Sequence, residues 1–170
     1  MVTVERLDHI VLTVASSAAS CAFYRRVLGM RVATFDDGRK ALPFGGQKTN
    51  LHERGREYEP KAARPTPGSA DLCFITSVPR EQVLAHLQAE GVPVLAGPRP
   101  RTGALRPLQS VSFRDPEGDL IEVANQPAAR AITLPDRAAS RRGSARLAAG
   151  VGVERLRAGA GRSRYAQRCL

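Results

Sequence analysis

The sequence predicts an α+β fold of two βαβββ modules, and three observations carry that expectation. A strand-like stretch followed by a helix-like one occurs twice, shorter strand-like runs follow each helix, and the Pro-rich segment EPKAARPTPGS separates the halves. The modules span about residues 4–59 and 69–126.

The first module opens with LDHIVLTV. In a strand, Ile10, Leu12 and Val14 share one face, while His9, Val11 and Thr13 share the other. SSAASCAFYRRVLGM follows as a helix: serines begin it, Cys21, Tyr24 and Leu28 recur at helical spacing, and Gly29 is placed to end it. Strands are then expected at 30–35, 40–44 and 49–52. The second module repeats the order with ADLCFIT and then VPREQVLAHLQAEGV, whose apolar stripe is Val83, Leu84 and Leu87 and whose cap is Gly91. Strands at 92–96, 108–114 and 120–125 complete it, the last two joined by the tight turn DPEG, with Pro116 second and Gly118 fourth. His86, beside the helical stripe, reads as structural or solvent-facing. GPRPRTGALRP, which carries Arg99, Arg101 and Arg106, reads as a solvated Gly/Pro-rich loop.

Charge is unevenly spread. The chain of 170 residues has a formal net charge of +10. From Pro127 onward, ten arginines against Asp136 and Glu154 supply +8 of it, leaving +2 for residues 1–126. The tail, 127–170, is built of Arg, Ala, Gly and Ser with Tyr165 as its one aromatic, so it lacks the apolar content for a core and reads as a disordered, solvated appendage. Only this tail supplies an argument for nucleic-acid contact. No apolar run approaches the ~18 residues of a membrane span, and Cys21, Cys73 and Cys169 form neither a CxxC pair nor an even set. A soluble cytoplasmic protein with no membrane contact is the expectation.

Strand parity then says which way the ionisable residues face. Asp71 lies opposite Leu72 and Phe74, and Glu122 lies opposite Ile121 and Val123, as His9 lies opposite Ile10 and Leu12. If the helices cover the apolar faces, His9, Asp71 and Glu122 converge on the other side. Two carboxylates and an imidazole gathered without partners are costly, so such a site is expected to hold a cation or a shared proton. Superposing TNL of the first module on IEV of the second puts Asn50 where Glu122 stands, with His52 on the same face two residues on. Asp71 has a second reading as an ion-pair partner of Arg114, and His52 a second reading as a surface residue at a strand end.

The paired βαβββ plan, LDHIVLTV with its His, the helix end FYRRVLGM and the terminal FRDPEGDLIEV resemble the vicinal oxygen chelate superfamily. That superfamily holds glyoxalase I, extradiol dioxygenases, methylmalonyl-CoA epimerase, fosfomycin-resistance proteins and bleomycin-binding proteins. TNLHERG, KAARPTPGSADLCFIT and SVSFRDPEGDLIEVAN are similar to the subgroup of glyoxalase domain-containing protein 5 and bacterial virulence proteins. The resemblance covers about residues 4–126 and none of the tail.

The resemblance implies a U-shaped mixed sheet around a cleft, with the helices on its outer face and a divalent metal that binds two adjacent substrate oxygens. His9 matches the first-strand ligand and Glu122 the last-strand ligand. Asp71 stands where most metal-dependent members have His, and Asn50 where glyoxalase I has Glu; both depart from the pattern and argue against isomerisation of the methylglyoxal–glutathione adduct. The expected metal set is His9, Asp71 and Glu122, holding Fe, Mn, Zn or Ni. His52 is expected as the catalytic base, and Asn50 and Arg114 as substrate contacts. One imidazole with two carboxylates is an oxygen-rich set, whereas His9, His52 and Glu122 would make the two-imidazole, one-carboxylate set of non-haem iron oxygenases. The expected activity is metal-dependent dioxygenase or lyase/isomerase chemistry on a small molecule, in a homodimer. The alternative is a metal-free binding protein of the bleomycin-resistance type, which the scarcity of aromatic residues, 5% with no Trp, weighs against.

Overall fold

A computed structural model describes residues 1–126, and the expectations for the tail lie outside the described residues. The element order is β1 (His9–Val14), α1 (Ser17–Leu28), β2 (Ala33–Phe35), β3 (Arg39–Phe44), β4 (Gln47–Glu53), β5 (Asp71–Ile75), α2 (Arg80–Ala89), β6 (Ala96–Thr102), β7 (Pro107–Arg114) and β8 (Leu120–Asn125). This is the twice-repeated βαβββ plan. Each module forms one mixed four-stranded sheet, ordered β1-β4-β3-β2 and β5-β8-β7-β6, in which the first strand runs parallel to the last and the other pairs are antiparallel. No helix among the described residues is long and apolar enough to cross a membrane.

Local chemistry sets the helix ends. Ser16 caps α1, its hydroxyl accepting from the Ala19 N–H at 3.3 Å, and Gly29 ends the helix with φ at 65°, a conformation that costs glycine little. Arg25 and Arg26 occupy the last turn, where cations suit the helix dipole. The two sheets share one core. Leu12, Val14, Leu42 and Leu51 of the first sheet and Val111, Phe113, Ile121 and Val123 of the second bury one face against Phe23, Tyr24 and Val27 of α1 and Leu87 of α2. Phe23 stands edge-on to Tyr24 at 5.6 Å and tilted against Phe113 at 6.4 Å, and Phe44 meets Phe74 edge-on at 5.1 Å, so aromatic contacts cross between modules. His86 has the structural role expected of it, its Nε2 lying 3.0 Å from the Val27 carbonyl oxygen.

Two strands differ from expectation. β2 is cut to three residues at a sheet edge, and β6 runs from Ala96 to Thr102 instead of 92–96, through the stretch that reads as a loop. Pro98 and Pro100 suggested the loop because they lack an N–H. β6 pairs only with β7, so half its backbone needs no ladder partner and the prolines are tolerated.

The DPEG turn does more than connect β7 to β8. Asp115, 6% exposed, accepts the Tyr24 hydroxyl at 2.9 Å and the backbone N–H groups of Glu117 and Asp119, each at 2.9 Å. Glu117 accepts the Ala15 N–H at 2.9 Å, just beyond β1, and Asp119 accepts the Ala70 N–H at 2.7 Å, just before β5. A Cβ at Gly68 would run into the Glu117 carbonyl, so the chain entering β5 passes close against this turn. Burial pushes the Asp115 carboxyl upward, against its hydrogen bond from Tyr24. Because Tyr24→Phe leaves a buried acceptor short of a donor, it is expected to lower the unfolding free energy by about 1–3 kcal/mol in urea denaturation; an unchanged midpoint would contradict this account of the turn.

Candidate functional site

Strand register decides which side chains share the face turned away from the helices. His9 pairs with Lys48, Val11 with Asn50 and Thr13 with His52, so these polar residues lie side by side on β1 and β4. In the second sheet Asp71 pairs with Leu120, Cys73 with Glu122 and Ser112 with Glu122. His9, Asp71, Glu122, Asn50 and His52 all stand on the helix-free side, where parity puts them.

On the first sheet the polar residues are wrapped in rings. The Arg39 guanidinium lies 4.2 Å over the Tyr58 ring, His52 meets Tyr58 at 5.4 Å, and the Lys48 ammonium lies 4.7 Å over Phe35. Burial holds the His52 imidazole below its ordinary pKa, and the Arg39 charge lowers it further, so the ring favours its neutral form. Asn50 buries its side-chain oxygen with no hydrogen-bond partner. His9 is half-exposed, its Nδ1 lying 2.9 Å from the carboxylate of Asp8.

On the second sheet Glu122, with its side chain 14% exposed, accepts the Ser112 hydroxyl at 3.2 Å and faces Arg101 Nε at 3.4 Å. Cys73 sits beside it; burial raises the thiol pKa, and the Glu122 and Asp71 charges add to the rise. Asp71 is exposed and forms no ion pair with Arg114, whose Nη1 donates instead to the Gly118 carbonyl at 2.8 Å. Arg114 thus braces the β7–β8 turn. A hollow of about 120 Å³ has His9 and Lys48 on one wall and Cys73 on the other, so the β1 and β5 contributions meet around one space.

The donor set suits a divalent cation: one imidazole, two carboxylates, and an amide oxygen whose orphaned state would be relieved by a cation. As the side chains stand, no three or more His, Cys, Asp or Glu among the described residues are gathered in ligating geometry. His9 is turned to Asp8, and Glu122 to Ser112 and Arg101. Sequence reasoning missed Arg39, Tyr58, Lys48, Cys73 and Arg101. Strand parity does carry a signal for Lys48 and Cys73, which lie at even spacing from Asn50 and Asp71; nothing local signals Tyr58, which arrives from a loop.

The fold and this polar face define a class, the paired-module glyoxalase-type domains, and comparison with known proteins agrees. The chain belongs to the Glyoxalase/Bleomycin resistance protein/Dioxygenase superfamily, whose profile matches residues 6–123. Within it, the chain is 50% identical over 121 residues to Virulence protein STM3117 of Salmonella typhimurium, covering 71% of this chain and 84% of that protein. It is 48% identical over 123 residues to Glyoxalase domain-containing protein RDO1 of Mycosarcoma maydis, covering 72% and 69%. The crystal structure of STM3117 superposes with a TM-score of 0.72 at 49% identity, covering 73% of this chain and 98% of that one. A lactoylglutathione lyase from Agrobacterium tumefaciens (22% identity, TM-score 0.55, 71% and 92% covered) and the antibiotic binding protein TnmS3 from Streptomyces (19%, 0.57, 74% and 98%) share the fold.

The lowered His52 pKa has a measurable consequence. In an NMR pH titration the His52 ring is expected to reach half-protonation below 6.5, and Arg39→Ala, which removes both a neighbouring charge and cover, is expected to raise that midpoint. The sign for stability follows: as pH falls through the unfolded-state value near 6.5, the unfolded chain takes up this proton first, so His52 costs stability on acidification. A His52 midpoint at or above 6.5 would contradict the burial described.

Proposed function

We propose that the domain is a small-molecule enzyme of the vicinal oxygen chelate type that uses a divalent metal, with His9, Asp71 and Glu122 as its protein ligands. The observation that carries the proposal is the buried, partnerless side-chain oxygen of Asn50 on the face that also bears these three residues. An unpaired buried acceptor costs on the order of 1–3 kcal/mol, and a bound cation or substrate donor would remove that cost. When bound, the metal supplies Lewis acidity for two adjacent substrate oxygens.

The chain's own residues account for the rest. Ser112 and Arg101 engage one oxygen of the Glu122 carboxylate, and a metal would be bound by exchanging or sharing those contacts. His52, kept neutral by burial and Arg39, is suited to accept a proton from carbon or oxygen next to a polarised carbonyl. Asn50 contributes its amide to substrate or cation, and Arg101, beside Glu122, offers the charge that Arg114 spends on the turn. This chemistry covers dioxygenase and lyase/isomerase reactions, in the cytoplasm and in a homodimer of the kind common in the superfamily.

A second reading has its own support. Arg39 over Tyr58, Lys48 over Phe35 and His52 against Tyr58 already form a stacking wall, which a metal-free trap for a flat ligand would use. Elemental analysis separates the two. The full chain is expected to carry near-stoichiometric Fe, Mn, Zn or Ni, and His9→Ala and Glu122→Ala are each expected to lose at least about ten-fold in metal affinity while keeping the parent's circular dichroism, as removal of a ligand predicts. Full metal content in both variants, or none in the parent after incubation with each ion, would leave the stacking trap as the function.

A further inference from the structure

A cavity of about 570 Å³ lies between α1 and the helix-facing residues of β3 and β4 and extends to Arg39, Arg56 and Tyr58. Cys21 and Arg25, separated by one helical turn, form one wall, and Lys40, Leu51 and Glu53 form the other. The cavity is strongly cationic: Arg25, Arg39, Lys40 and Arg56 line it against one acid, Glu53. That acid is already engaged, since its carboxylate accepts the Ser17 N–H at 3.0 Å. The guanidinium groups of Arg25 and Arg56 are in no ion pair among the described residues, in contrast to those of Arg26, Arg80 and Arg101. Arg39 buries its Nε in the wall without a hydrogen-bond partner. Two of the positive charges converge on the same spot, because Lys40 and Arg25 both pull down the Cys21 thiol pKa, which burial pushes up.

We propose that this cavity is a second binding site, for a small organic anion carrying more than one negative charge. Its volume is that of a ligand pocket, its floor is apolar at Cys21 and Leu51, and its unpaired guanidinium groups have the fork geometry that recognises phosphate or carboxylate. Arg39 and Tyr58 belong both to this cavity and to the stacking wall of the helix-free face, whereas Arg25 and Arg56 line the cavity alone, so variants of these two test it apart from the proposed metal ligands.

The test is calorimetric titration of the full chain with inorganic pyrophosphate and with citrate at constant ionic strength. Arg25→Gln and Arg56→Gln are each expected to weaken binding about tenfold, the value of one charge-assisted contact. Arg80→Gln on α2, which is not among the cavity's lining residues, should change it by no more than about twofold, as is usual for charges outside a site under screening. Tighter pyrophosphate identifies a phosphate compound as the ligand class and tighter citrate a polycarboxylate, and both uphold the site. Binding by neither anion, or equal weakening by the Arg80 variant, would overturn it, since the interaction would then be absent or belong to general surface charge.

Discussion

The short acidic turn between β7 and β8 is the constraint on which the rest of the described structure depends. Three carboxylates in five residues each take a donor from a different part of the chain: Asp115 from Tyr24 in α1, Glu117 from the backbone after β1, and Asp119 from the backbone before β5. Hydrogen bonds to charged acceptors are worth about 1.5–3 kcal/mol each when net contributions are counted, and the one from Tyr24 to Asp115 is buried. Their effect is positional as much as energetic. They hold the leading strand of each module beside the turn that leads into the last strand of the second, so that His9 on β1, Asp71 on β5 and Glu122 on β8 belong to one surface.

That surface differs in character between its two halves. The first sheet presents cations and a neutral imidazole lodged among Phe35 and Tyr58, while the second presents Asp71, Cys73 and a Glu122 held by Ser112 and Arg101. The internal repeat therefore places chemically unlike groups at equivalent positions, with Asn50 matching Glu122 and His9 matching Asp71. The cavity beside α1 is mainly cationic, its one acid, Glu53, accepting the Ser17 N–H.

Much of this was legible from residue order. Period-two alternation in LDHIVLTV, ADLCFIT and DLIEVAN assigned His9, Asp71 and Glu122 to the side away from the core, and the burial of Leu12, Val14, Ile121 and Val123 agrees. The repeat placed Asn50 opposite Glu122 by superposition alone. The side chains that touch Glu122 and His52 were not legible. Arg101 lies on an edge strand disguised by Pro98 and Pro100, and Tyr58 comes from the connection after β4, so their contacts with Glu122 and His52 arise from long-range packing that no local pattern encodes. Arg114 shows the converse: parity puts it on the right face, but a carbonyl four residues away at Gly118 captures its guanidinium. Face and period are properties of a strand, whereas partner choice is a property of the folded whole.

The central claim is that His9, Asn50, Asp71 and Glu122 together hold a cation between the two modules. Titrating the isotope-labelled full chain with Mn²⁺ and following paramagnetic broadening of its amide signals tests it most directly. The account predicts that signals flanking these four residues vanish first, while those around Leu87 in the core-facing turn of α2 persist. Broadening confined to one module, or spread without preference over the chain, would contradict it.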